Sequence, residues 1–179
     1  FTMDMQQIGT CDDAVKCGAL MEREKRLQGI VFLGGRFDYT PADLAMLNVP
    51  FVCCSYSNRY GTLIEGEYSS VSIADGDTAQ QAVEELYRHG HRRIAALISR
   101  PNDQSISQLR YEGYVQALES HGIPLDPELV ISTGGFGAKD AYRAVQEKMA
   151  ENVDFTALFA IADSMAIGAM RALMDAGRR

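Results

Sequence analysis

The stretch Val71–Ile98, VSIADGDTAQQAVEELYRHGHRRIAALI, constrains the fold more than any other part of this 179-residue chain. It reads as a strand, a helix stopped by Gly90, a short basic turn and a second strand. Ala79, Ala82, Val83, Leu86 and Tyr87 recur at helical spacing and predict one buried face. Asp75 and Asp77 fall where a helix start favours negative charge, and Gly90 supplies a left-handed stop. The unbroken apolar run Ile94–Ile98 predicts a strand covered on both faces, as in a parallel sheet. The segment is one βαβ unit.

The rest of the chain repeats that rhythm. Strands are predicted at Phe1–Met5, Ile30–Leu33, Phe51–Cys54, Val71–Ala74, Ile94–Ile98, Leu129–Ser132 and Ala157–Ile161. Helices are predicted at Asp12–Arg26, Pro41–Leu47, Gly76–His89, Asp103–His121, Ala138–Glu151 and Asp163–Ala176. Strict alternation implies an α/β fold of parallel sheets. The crossing between two subdomains is expected near Ala74, giving residues 1–73 and 74–179.

A net charge of −7 argues against this chain gripping nucleic acid by itself. The basic turn His91-Arg92-Arg93 reads as solvated surface. Cys11, Cys17, Cys53 and Cys54 have no metal-ligand spacing and are expected to be reduced thiols of a cytoplasmic protein. No apolar run is long enough to span a membrane, and nothing resembles a signal peptide. The chain starts at Phe1 and stops at Arg178-Arg179, and is expected to be an interior piece of a longer protein.

Parallel sheets collect ligands at the carboxyl ends of their strands. Gly34-Gly35, Ser55, Ser99-Arg100, Thr133-Gly134-Gly135-Phe136 and Ala162-Asp163 are predicted there. Small residues, hydroxyls, one aromatic and one carboxylate suit a small polar ligand; each is also an ordinary loop or capping residue. Arg110 is different. It shares the inward stripe of Ile106, Leu109, Gly113, Tyr114, Ala117 and Leu118, and a guanidinium there needs acceptors. A neighbouring carboxylate or a ligand could supply them. A phosphate loop, a nucleophile elbow and a GxGxxG order are all missing, and no carboxylate pair or Cys/His or Ser/His set is placed for catalysis. No cofactor and no metal are expected.

Three segments together resemble the effector-binding domain of LacI/GalR-family transcription repressors. The first is Val71-Ser72-Ile73-Ala74-Asp75, with Ala82-Val83-Glu84-Glu85-Leu86 and Gly90-His91-Arg92-Arg93-Ile94-Ala95. The second is Arg110-Tyr111-Glu112-Gly113-Tyr114, continuing to Gly122-Ile123-Pro124-Leu125-Asp126-Pro127. The third runs from Phe159-Ala160-Ile161-Ala162-Asp163 to Arg171-Ala172-Leu173.

The resemblance implies a periplasmic-binding-protein-like fold: two Rossmann-like, parallel-sheet subdomains with a ligand cleft between them. It puts the family's effector-holding arginine on Arg110 and its cleft aromatic on Phe136. Arg110 is expected beside Phe136 and within reach of Asp163 or Asp75, with Ser55 and Gly34 completing the ligand-binding set. Two positions depart from the family pattern. Ala162-Asp163 replaces Asn-Asp, and Ser55 stands where many members carry Asp. The implied partners are a sugar-like effector, a second copy of the chain joined through helix Asp163–Ala176, and operator DNA bound by a helix-turn-helix outside this chain. A periplasmic sugar-binding protein of a transport system shares the fold and is the alternative.

Overall fold

The structure, a computed structural model, describes residues 2–9, 13–36, 38–64 and 66–178. Contacts divide the chain into two compact units, Phe1–Ile73 and Ala74–Arg179. Each is built on a three-stranded sheet with every strand parallel.

In the first unit, helix α1 (Ala14–Lys25) starts at Asp13, whose Oδ1 accepts from Val15 N at 2.9 Å and Lys16 N at 3.2 Å. Side-chain capping of this kind satisfies amide donors that have no partner within the helix. The helix lays Val15, Gly18 and Ala19 against the sheet. Gly18 is needed there, since a Cβ would stand 2.9 Å from the Phe32 ring. The sheet has the order β1 (Ile30–Leu33), β2 (Phe51–Cys54), β3 (Ser69–Val71), and Phe32 and Cys53 are buried in it. Helix α2 (Pro41–Leu44) carries a reciprocal capping box between Thr40 and Asp43.

Three expectations fail here. Phe1 lies outside the described residues, as do Cys11 and Asp12, but the remainder of the expected strand Phe1–Met5 is not a strand. Met3 and Met5 are exposed, and a strand without a ladder partner has nothing to hold it extended. The helix expected over Pro41–Leu47 ends at Leu44 and gives way to a turn closed by Leu47 N donating to Leu44 O at 3.0 Å. Pro50 follows shortly, and the residue before a proline is pushed out of helical geometry. The third strand is Ser69–Val71 rather than Val71–Ala74. Its place is set by the register with β2, Val52 against Ser69 through Cys54 against Val71.

The second unit follows the sequence more closely. It holds α3 (Asp75–Arg88), β4 (Ile94–Ile98), α4 (Ile106–Ser120), β5 (Val130–Ser132), α5 (Ala138–Ala150), β6 (Ala157–Ala160) and α6 (Asp163–Asp175), with sheet order β5-β4-β6. All five residues of central β4 are buried, as a strand covered on both faces requires. The α3 stripe is narrower than its spacing suggests: Ala79 and Val83 are buried, whereas Ala82 is exposed. The crossover from β4 to β5 moves one way along the sheet and that from β5 to β6 moves back past β4. Right-handed connections therefore send α4 and α5 to opposite faces. Consistent with this, α4 packs along α3 and α5 along α6.

Glycine makes both helix contacts possible. A Cβ on Gly113 of α4 would meet Gly76 O of α3 at 2.1 Å, and one on Gly168 of α6 would meet Ala138 O of α5 at 2.1 Å. The core between the layers includes Tyr114, whose hydroxyl donates to Ile94 O at 2.8 Å.

Candidate functional site

The parallel sheet of the second unit sends its helix starts and the loops after β4, β5 and β6 to one edge, where strand carboxyl ends and helix N-termini meet. Because the chain leaves β4 toward one face and β5 toward the other, the loops part there, the kind of place at which open parallel sheets bind ligands.

Hydrogen bonds fix that edge. Ser99, just past β4, donates from its amide to Ser107 Oγ at 3.2 Å and from its hydroxyl to Asp103 Oδ2 at 2.8 Å. The other oxygen of Asp103 accepts from Ser105 N at 3.1 Å and Ser105 Oγ at 2.6 Å. The loop after β5 is tied on through Gly134 N donating to Ser99 O at 2.7 Å and Arg100 Nε donating to Gly134 O at 2.8 Å. Ser164 of α6 donates to Phe136 O at 2.5 Å.

Arg110 stands on the second turn of α4. Its Nε donates to Asp75 Oδ1 at 2.9 Å, its Nη2 lies 2.8 Å from the same oxygen, and its Nη1 donates to Ile161 O at 2.5 Å. The Asp75 side chain is 6 % exposed and that of Arg110 25 %. Of the alternatives the sequence left open, a carboxylate of the same unit supplies the acceptors. Asp75 makes no side-chain cap on α3, nor does the N-cap residue Ala74; its carboxylate goes to the guanidinium instead. Five N–H donors belong to a guanidinium and these contacts use three, leaving one each on Nη1 and Nη2.

The remaining expected residues are less tightly bound together. Phe136 is 41 % exposed, and Asp163 is exposed at the first position of α6. Neither has a direct hydrogen bond or ion pair with Arg110. Ala162, the N-cap of α6, supplies no capping side chain. Gly34 and Ser55 belong to the first unit, at the carboxyl ends of β1 and β2. Gly34 N donates to Cys54 O at 2.8 Å and Ser55 N to Val71 O at 2.9 Å, so both extend the ladder. Both take positive φ, 79° and 52°, turning the chain at the strand ends.

Sequence reasoning missed Asp103, Ser105 and Ser107, which hold the β4 loop. Their alternation ahead of an apolar helical stripe is a capping signal that could have found them. Among the described residues, no three His, Cys, Asp or Glu side chains come together as a metal site, and no helix is long and apolar enough to cross a membrane.

A family profile for periplasmic binding proteins and the sugar binding domain of the LacI family matches residues 49–179. HTH-type transcriptional regulator MalR of Clostridium butyricum is 36 % identical over 156 residues, 87 % of this chain and 46 % of that protein. The structure of a transcriptional regulator CelR–cellobiose complex aligns with a TM-score of 0.75 at 30 % identity, over 92 % of this chain and 49 % of that one. A sugar-binding transcriptional regulator (LacI family) from Escherichia coli complexed with phosphate aligns with a TM-score of 0.73 at 27 % identity, over 92 % and 57 %. The chain thus spans about half the length of the relatives it matches.

Proposed function

The chain belongs to the family of periplasmic binding proteins and LacI sugar-binding domains, and from that premise we propose that it is the effector-sensing part of a LacI-type transcriptional repressor. A small sugar-like effector binds beside Arg110, with Phe136, Asp163 and Asp75 of the second unit; within the first unit, Ser55 and Gly34 are the proposed ligand-binding residues. Binding changes the affinity of the whole protein for operator DNA, which a helix-turn-helix outside this chain reads in the major groove.

The observation that carries the proposal is Arg110. A cation fixed by Asp75 and Ile161 O keeps two N–H donors in hand at the carboxyl end of a parallel sheet. Fixed donors are what selective ligand binding needs, because their ordering cost is met before the ligand arrives. The relative solved with cellobiose supports a sugar as effector, and the relatives' being transcriptional regulators supports a cytoplasmic, non-enzymatic sensor over a transport protein.

The protein acts as a homodimer. Ile167, Met170 and Met174 form an exposed apolar row on α6, at spacings that share a helix face. Burying such a row against its own copy across a two-fold axis removes it from water.

A thermal-shift screen of sugars and nucleosides, followed by operator binding with and without each hit, tests the proposal. A ligand at about 100 times its dissociation constant adds about 2.7 kcal/mol of stability. Effector and operator must alter each other's affinity by the same factor. A hit that leaves operator affinity untouched would reject the regulatory role and favour transport.

A further inference from the structure

We propose that Arg100 is a positioning residue: by holding Gly134 it keeps the Phe136 ring presented to the effector, and it does so as a hydrogen-bond donor rather than as a charge. The inference rests on the sensor reading above and concerns what keeps that site ready for its ligand.

Phe136 lies in a segment with little stiffness of its own. Three of the residues 133–137 are glycine, and a glycine loses more conformational freedom on ordering than any other residue. Gly134 takes a φ of 78°. Gly137, the N-cap of α5, brings no side chain to bond the helix start. The Phe136 ring is 41 % exposed, so packing holds it only in part.

Bonds from neighbouring segments supply the missing stiffness. Both backbone polar groups of Gly134 are taken by the residues that follow β4. Its N–H donates to Ser99 O at 2.7 Å, and its carbonyl accepts from Arg100 Nε at 2.8 Å. Just upstream, Thr133 N donates to Ile98 O at 3.0 Å. On the far side, Ser164 donates to Phe136 O at 2.5 Å.

The two amide bonds prolong the ladder between β4 and β5 and belong to the fold. The bond from Arg100 does not. Its side chain is exposed, supports nothing in the core, and makes its one bond among the described residues to the Gly134 carbonyl. A charged donor gives a stronger bond than a neutral one, which suits a staple exposed to water. Without it, the segment between Thr133 and Ser164 has to be ordered each time a ligand meets Phe136, and that ordering lowers the affinity.

Side-chain length separates the donor from the charge. Glutamine carries its Nε2 as many bonds from Cα as arginine carries Nε, so Arg100→Gln keeps a donor for the Gly134 carbonyl and drops the charge. Arg100→Met keeps the length and has neither.

The intact protein and these two variants are titrated by calorimetry with cellobiose, glucose and adenosine as probes. A probe that binds the parent is expected to bind Arg100→Met about three- to tenfold more weakly, and Arg100→Gln within about twofold of the parent. Hydrogen exchange over residues 133–137 should quicken in Arg100→Met and return toward the parent rate in Arg100→Gln, with the melting temperature the same in all three. In a Phe136→Ala background Arg100→Met should make no further difference, because the ring it positions is gone. Arg100→Gln binding as weakly as Arg100→Met, or a loss that persists in full without Phe136, would make Arg100 a direct contact. Either result overturns the positioning role and leaves a sensor in place. Unchanged exchange and affinity in Arg100→Met overturn it as well. Failure of every probe to bind the parent overturns the sensor reading and this inference with it.

Discussion

Arg110 holds a single oxygen of Asp75 with two of its nitrogens, at 2.9 and 2.8 Å, and so joins the second turn of α4 to the first residue of α3. The two partners are not equally placed: Asp75 is nearly sealed from water, while a quarter of the Arg110 side chain is exposed. Losing the arginine leaves a buried carboxylate with no counter-charge. Losing the aspartate leaves a guanidinium that still reaches Ile161 O and water. Arg110→Ala is therefore expected to cost about 3 kcal/mol, and Asp75→Ala less. The double variant should be more stable than the sum of the singles implies, by about 1 kcal/mol or more. Urea midpoints of the three variants measure this, and strict additivity would refute the coupling.

Gly113 and Gly168 mark the closest helix approaches of the second unit. A methyl at either position meets a backbone carbonyl, which cannot swing aside as a side chain can. Gly113→Ala and Gly168→Ala are each expected to lower stability by about 2 kcal/mol or more, because the helix pair must separate to admit the new carbon. Gly135→Ala is the control: no atom stands within 4 Å of its Cβ position, and its φ does not lie in the left-handed region. Thermal melts should rank the control within about 0.5 kcal/mol of the parent.

Burial pushes the Cys53 thiol up to about 11 from an ordinary 9.0, with the neighbouring Cys54 adding to the rise. The folded thiol thus keeps its proton where the unfolded one has lost it. The associated stability is complete below pH 9.0 and is lost as pH climbs from there to about 11. Burial raises Tyr56 and Tyr39 in the same unit as well, so the alkaline loss should steepen rather than cancel. At pH near 8 a thiol reagent should label half-exposed Cys17 and Cys54 before Cys53. Rapid labelling of Cys53 with the fold intact would contradict its burial.

The exposed row on α6 gives a sharper test of assembly. Ile167→Asp places a charge in the proposed two-fold contact, at a position 65 % exposed in its own chain. The variant should sediment as a monomer at micromolar concentration while the parent does not, with the chain's own unfolding midpoint shifted by no more than about 0.5 kcal/mol. Identical sedimentation of the two would place the contact elsewhere.

The sequence foretold those elements whose apolar pattern and tertiary surroundings agree. The run Ile94–Ile98 could only be a strand with both faces covered, and it is the central strand of its sheet. It predicted poorly wherever a partner decides the outcome. Val71 and Ile73 alternate like strand residues, yet pairing ends at Val71 because β2 ends at Cys54. The same division runs through the candidate site. The inward position of Arg110 followed from helical spacing, because three or four residues bring a side chain back to the same face. Its tie to Asp75 did not follow from spacing, since the partners lie 35 residues apart; the family resemblance put Arg110 within reach of Asp163 or Asp75, and Asp75 is the one it holds. By spacing alone Asp103 reads as part of the helix it precedes, for its role depends on Ser99 folding back toward it.

The two glycine contacts also limit how the second unit can move. A helix pressed onto its neighbour's backbone, with no side chain between them to act as a bearing, has lost the freedom to roll or slide alone. Four helices thereby become two struts, α3 with α4 and α5 with α6, joined where the starts of α3 and α5 meet the middle stretches of α4 and α6. Arg110 stands on the first strut and reaches the carbonyl at the root of the second. A displacement of that one side chain therefore bears on both struts at once, on α3 through Asp75 and at the root of α6 through Ile161 O. For a sensor, stiffness of this kind matters as much as affinity, because it decides how much of a small local displacement survives the journey.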